Sequence, residues 1–157
     1  MVGLATGCAS GRIIGDTYRD AESGFQVRLP PAPWQLRSLD GAAVSFVSLE
    51  LRAGMALQVH CGDAEPGQLT WVARHLFFGL QDTNIQDRDT IQVLDSTAVR
   101  TRLRGRLDDQ PVEVEAVTFR RDGCLYDFTY VAPPNVFPQG RDDFEAFVQS
   151  WTPLALR

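Results

Sequence analysis

The sequence predicts an α+β sandwich built around one antiparallel sheet of about six to seven strands. Three observations lead there. Between Phe25 and Val131, seven segments carry the period-two or apolar β-branched signature of strands. Two others, Gln68–Leu80 and Asp142–Trp151, repeat apolar residues at helical spacing. Most links between strands are short and polar, which suits antiparallel hairpins. At 157 residues the chain is one domain, long enough to bury about 70% of its unfolded surface without staples.

In chain order, Phe25–Leu29 alternates apolar and polar residues and breaks at Pro30-Pro31-Ala32-Pro33 before Trp34. Ala43–Leu49 and Met55–Cys61 read as a strand pair turned by Arg52-Ala53-Gly54. The helix over Gln68–Leu80 places Leu69, Val72, Ala73, Leu76 and Leu80 on one stripe, widened by Trp71, Phe77 and Phe78. Gln81–Arg88 is polar and rich in Asp and Asn, and reads as a surface loop. Strands resume at Thr90–Leu94, Ala98–Leu107, Val112–Arg120 and Leu125–Val131. Phe144, Phe147, Val148 and Trp151 share one face of the closing helix; Asp142 with Glu145 signals its start and Pro153 its end.

Leu4-Ala5-Thr6-Gly7-Cys8 has the form of a bacterial lipoprotein processing site, in which Cys8 is alkylated by a diacylglycerol and becomes the N-terminus. The competing reading is an ordinary cysteine, because a working signal carries an apolar core of about 7–15 residues and only Met1–Gly7 precede Cys8. On the first reading, residues 1–16 are residual signal, lipobox and flexible tether, and 17–157 form the globular domain. The expected location is then the bacterial cell envelope, lipid-anchored through Cys8; the alternative is cytoplasmic.

Every one of the fifteen basic residues is Arg. Without Lys there is no P-loop lysine, no Schiff base with pyridoxal phosphate and no lysine general base. A net charge of -5 argues against a nucleic-acid binder. Apart from Cys8, the cysteines are Cys61 and Cys124. Both are read as buried free thiols, while an oxidising compartment would permit a disulfide between them.

The element order resembles the PsbP-like superfamily, named for the extrinsic photosystem II subunit and including bacterial lipoproteins. The likeness rests on Gly24-Phe25-Gln26-Val27-Arg28-Leu29-Pro30 leading to Trp34, a mid-chain helix, and three long strands. It continues through Tyr126-Asp127-Phe128-Thr129-Tyr130-Val131-Ala132-Pro133-Pro134, a loop to Phe137, and the terminal helix. It spans about residues 17–155 and rests on layout and two loose motifs. It implies a sheet with helices on both faces (an α/β/α sandwich) and a non-enzymatic, partner-binding role. No contact residue of the superfamily maps onto an identifiable position.

Catalytic constellations are thin. His60 and His75 are the only histidines, and Cys61 follows His60 on a strand, where neighbours point to opposite faces. No Gly-x-Ser-x-Gly turn presents a nucleophile, no Cys-x-x-Cys or His-x-x-x-His spacing offers a metal site, and Asp82, Asn84, Asp87 and Asp89 miss the calcium-loop pattern. No cofactor is expected.

One pattern stands above background. Arg100, Arg102, Arg104 and Arg106 alternate along one strand and so share a sheet face. They could form an anion-recognition ladder for a lipid headgroup, an acidic glycan or an acidic protein. The bland alternative pairs them with the next strand. A two-residue turn at Asp108-Asp109 sets Arg104 opposite Glu113 and Arg102 opposite Glu115; a four-residue turn sets Arg106 opposite Glu113 and Arg104 opposite Glu115. Arg100 faces an apolar residue in both registers. The function expected is a non-catalytic interaction or assembly module with an unidentified protein partner. The alternative is a domain binding a small or anionic ligand in a helix–sheet pocket lined by Trp71, Phe128 or Tyr130.

Overall fold

The computed structural model describes residues 11–62 and 80–155. The strands are β1 (Gly11–Ile14), β2 (Thr17–Asp20), β3 (Phe25–Arg28), β4 (Gln35–Leu36), β5 (Val44–Ser48), β6 (Ala53–Cys61), β7 (Gln81–Val93), β8 (Ser96–Leu107), β9 (Gln110–Arg121), β10 (Cys124–Ala132) and β11 (Thr152–Pro153); the helix is α1 (Phe137–Gln149). They form a four-stranded sheet, β1-β2-β3-β11, and a seven-stranded sheet, β4-β5-β6-β10-β9-β8-β7. All pairings are antiparallel.

Two sheets with one helix among the described residues replace the expected single sheet flanked by helices on both faces. Of the second sheet only β3 was legible in the sequence, as the Phe25–Leu29 alternation; β1, β2 and β11 are two to four residues long, too short to show a period. That sheet is also closed by a long-range pairing, Pro153 with Phe25 and Thr152 with Gln26, which no local pattern encodes. Within the segment read as tether, Gly11–Ile14 forms strand β1, with Gly11 paired to Asp20. The helix expected at Gln68–Leu80 lies outside the described residues except for Leu80.

The polar stretch Gln81–Arg88 belongs to strand β7, not to a loop. β7 is the sheet's outer strand and is exposed along nearly its whole length, so burial imposes no alternation on it. Its charges and two register irregularities, at Gln81/Asn84 and Ile85/Asp87, are features that keep an open edge from pairing with another chain.

The terminal helix starts at Phe137, five residues earlier than its cap signal suggested. Pro138 supplies a preset helical φ in the first turn, and the Val136 and Phe137 amides donate to the Pro133 carbonyl at 3.1 and 2.9 Å.

The core lies between the large sheet and a layer made by α1 and the small sheet. Tyr126, Phe128 and Tyr130 point to this side of β10. Phe128 meets Phe147 edge-on at 5.2 Å, Tyr130 stacks on Phe137 at 4.7 Å, and Phe25 of the small sheet meets Tyr126 at 5.2 Å. Trp151 closes the end of this row against Phe119 and Tyr126. Gly140 lets α1 come close: a β-carbon there would collide with the Tyr130 hydroxyl and lie 3.2 Å from the Trp34 ring. The Trp34 indole donates to Asp143 at 3.0 Å, which fastens the proline-rich loop to the helix.

Cys61 and Cys124 are joined by a disulfide, which corrects the expectation of two free thiols. They stand directly opposite each other on β6 and β10, with Cα atoms 4.0 Å apart. Their distance depends on strand register, which spacing along the chain does not reveal.

Candidate functional site

β8 and β9 are joined by the two-residue turn. Asp108 and Asp109 both take positive φ, 49° and 63°, the conformation that matches the twist of paired strands, and Leu107 pairs with Gln110. Arg102 therefore stands opposite Glu115 and Arg104 opposite Glu113. Their closest charged atoms are 3.4 and 3.9 Å apart.

The four arginines face the same side as α1, and the helix changes the local chemistry. Arg141 of α1 reaches the same Glu115 oxygen at 3.3 Å, so one buried carboxylate serves two guanidiniums. The Arg102 guanidinium also lies 5.7 Å above the Phe137 ring.

Arg100 has a partner that the expected β8–β9 pairing did not supply. It donates two hydrogen bonds to Asp89 of β7, at 2.9 and 2.5 Å, across a register in which the two residues are directly paired. The hydrogen bond from Arg100 holds Asp89 below the ordinary carboxylate range, and the same bond raises Arg100. The expectation of an unpartnered Arg100 is thus corrected, because Asp89, which lies between the stretch read as a loop and the strand expected from Thr90, belongs to β7. Arg106 donates to the Asp109 carbonyl at 3.1 Å and meets no carboxylate among the described residues. The ladder is compensated at Arg100 and Arg102, loosely paired at Arg104, and without a carboxylate at Arg106 among the described residues.

Phe128 and Tyr130 are fully buried in the aromatic core and line neither the groove over β5, β6 and β10 nor the cleft between β3 and the end of α1. Burial pushes the Tyr130 phenol up to about 12, and its hydroxyl donates to the Phe137 carbonyl at 2.8 Å. Trp71, His75 and Cys8 lie outside the described residues. His60 is exposed on β6, opposite Leu125. Among the described residues no group of three His, Cys, Asp or Glu side chains is placed to hold a metal ion, and no helix is long and apolar enough to cross a membrane.

Sequence reasoning also missed Asp127. It is wholly buried on the sheet face away from α1, and among the described residues neither carboxylate oxygen has a hydrogen bond of normal geometry. Thr118 of β9 and Gln58 of β6 stand directly across from it. Burial raises its pKa from 3.8 to about 6. The one signal in the sequence was a lone acid at a position between Phe128 and Tyr126 in an apolar strand.

No protein-family model matches the chain, and no curated protein matches it. Solved structures do. The solution structure of a cyanobacterial PsbP, CyanoP from Synechocystis, superposes with a TM-score of 0.64 at 15% identity, over 98% of each chain. LpqN of Mycobacterium tuberculosis, described as involved in cell envelope biogenesis, superposes with a TM-score of 0.59 at 15% identity, over 84% of this chain and 86% of that one. A Bacteroides thetaiotaomicron protein superposes with a TM-score of 0.63 at 7% identity, over 91% of this chain and 50% of its own. The chain has a PsbP-like fold.

Proposed function

We propose that this chain is a non-catalytic, envelope-associated domain that works by binding a protein partner. The observation that carries the reading is the fold it shares almost end to end with a PsbP and over most of its length with an envelope-biogenesis protein. The Cys61–Cys124 disulfide supports it, since such bonds persist in oxidising compartments outside the cytoplasm. Attachment to the membrane is through lipid on Cys8, and the partner is acidic where it meets the outer end of the arginine ladder. Arg104 is 59% exposed there and Arg106 is exposed, and each presents a fork suited to a carboxylate.

The test expresses the gene with its natural upstream sequence and labels cells with a fatty acid. Label on the wild type, lost in Cys8→Ala together with membrane retention, is the expected result. An unlabelled protein with Cys61 and Cys124 reduced in the cytoplasmic fraction overturns the envelope assignment. For the partner, crosslinking in membranes should give a product that fades in the Arg104→Ala, Arg106→Ala double variant and with added salt. A product insensitive to both removes the ladder from the interface.

A further inference from the structure

We propose that the face of the large sheet turned away from α1 carries a binding groove for a small, neutral amphiphile, with an apolar body and one hydrogen-bonding group. The groove encloses about 220 Å³ between the Arg37–Leu39 segment and strands β5, β6 and β10. It exists because of strand alternation. Phe128 and Tyr130 enter the aromatic core, so Thr129 and Val131 fall on the other side; on β6, Leu57 enters the core while Gly54 and Ala56 face the groove. Small residues at Gly54 and Ala56 leave open the space that larger ones would fill.

The walls are fixed in advance of any ligand. The Arg37 amide donates to the Ser45 carbonyl at 3.0 Å, and the Ser45 hydroxyl donates back to the Arg37 carbonyl. The Ala43 amide donates to the Leu57 carbonyl at 2.8 Å, which anchors the far end of the same segment. A preformed, mainly apolar cavity with few polar groups is the usual form of a small-molecule site.

Thr129 supplies the polar group. It is 8% exposed, lines the groove, and its hydroxyl has no hydrogen-bond partner among the described residues. The Ser45 hydroxyl is already engaged with Arg37, so Thr129 is the buried hydroxyl left to meet a ligand. A buried hydroxyl without a partner carries an uncompensated desolvation cost, which a ligand hydroxyl, amide or ether would remove.

Size and charge set the class. A dry cavity of about 150 Å³ holds benzene, so this groove suits one ring or a chain of about six to eight carbons. The buried carboxyl group of Asp127, next on the same sheet face, opposes an anionic head inside; Arg37, the only cation in the lining, is itself exposed to water. The amphiphile could come from solution or be drawn from a bilayer, and the chemistry recognised is the same.

The experiment titrates the full chain with 1-hexanol, with hexanoate at neutral pH, and with phosphatidylcholine vesicles, following Val47, Ala56, Thr129 and Val131 by NMR. Hexanol should shift these signals saturably, and hexanoate should bind at least tenfold more weakly. Thr129→Val should weaken hexanol about tenfold, and Ala56→Leu, which fills the groove, should abolish its shifts. Vesicles acting on the same residues identify a bilayer source; hexanol acting alone identifies a soluble one, and both support the site. No saturable shift with hexanol in the wild type, equal or tighter hexanoate binding, or an undiminished response in folded Ala56→Leu overturns it. The wild-type titrations decide the matter even if a variant does not fold.

Discussion

Arg100 of β8 holds Asp89 of β7 through two parallel hydrogen bonds, at 2.9 and 2.5 Å, on the outermost strand pair of the large sheet. This fork ties the edge strand to its neighbour by side chains as well as by backbone. It also removes from the ladder the arginine that the β8–β9 register alone would leave free. At the other end Arg104 keeps only a loose, exposed contact with Glu113 at 3.9 Å, and Arg106 meets no carboxylate among the described residues.

Arg100→Ala should cost no more than about 1 kcal/mol, because both partners are partly exposed and water screens the pair. Arg102→Ala should cost more, about 1–3 kcal/mol, since it uncovers Phe137 and leaves buried Glu115 with Arg141 alone. Arg106→Ala should stay within about 0.5 kcal/mol. Urea melts of the three variants check the order, and an Arg102 effect no larger than that of Arg106 contradicts the role assigned to Glu115.

The buried Asp127 makes a pH prediction. Its pKa is raised on folding, from 3.8 to about 6, so the folded state holds the proton more tightly than the unfolded chain does. Its contribution to stability is therefore most favourable below pH 4, is lost as pH rises towards 6, and is flat above that. The shift corresponds to roughly 3 kcal/mol. Asp127→Asn should stabilise the protein at pH 7 by about 1–3 kcal/mol and flatten the difference in stability between pH 4 and pH 6, measured by denaturant unfolding at both values.

Reduction should weaken the fold. The disulfide links residues 63 positions apart and restricts the unfolded chain, so the Cys61→Ser, Cys124→Ser variant should lose about 2–4 kcal/mol. Thiol titration of denatured protein gives a direct check: with Cys8 lipidated or replaced, no thiol should appear until reductant is added.

Gly140→Ala, ordinarily favourable in a helix, should here destabilise by about 1–3 kcal/mol because the new methyl group meets the Tyr130 hydroxyl and the Trp34 ring. Tyr130→Phe should restore part of the loss in the double variant, read as a coupling energy from thermal melts. Additive losses would show that the hydroxyl is not the obstacle.

Most strands between Phe25 and Val131 were legible because alternation is a local property, and so was the apolar face of α1; β4 and the first part of β7 were not. The β8–β9 hairpin was legible down to two candidate registers, since Asp-Asp turns and Arg–Glu complementarity both leave a trace in sequence. Tertiary structure decided the rest. The small sheet, the Cys61–Cys124 bond and the Arg100–Asp89 fork each join residues whose proximity depends on register or strand order. β7 looked like a loop because an outer strand exposed on both sides needs no apolar period. The groove beside Thr129 arose the same way: the sequence showed which residues alternate, but only the packing showed that one face of β10 is filled by α1 and the other holds a cavity. Period-two patterning fixes which side chains share a face; what each face meets is set by contacts between segments far apart in the chain.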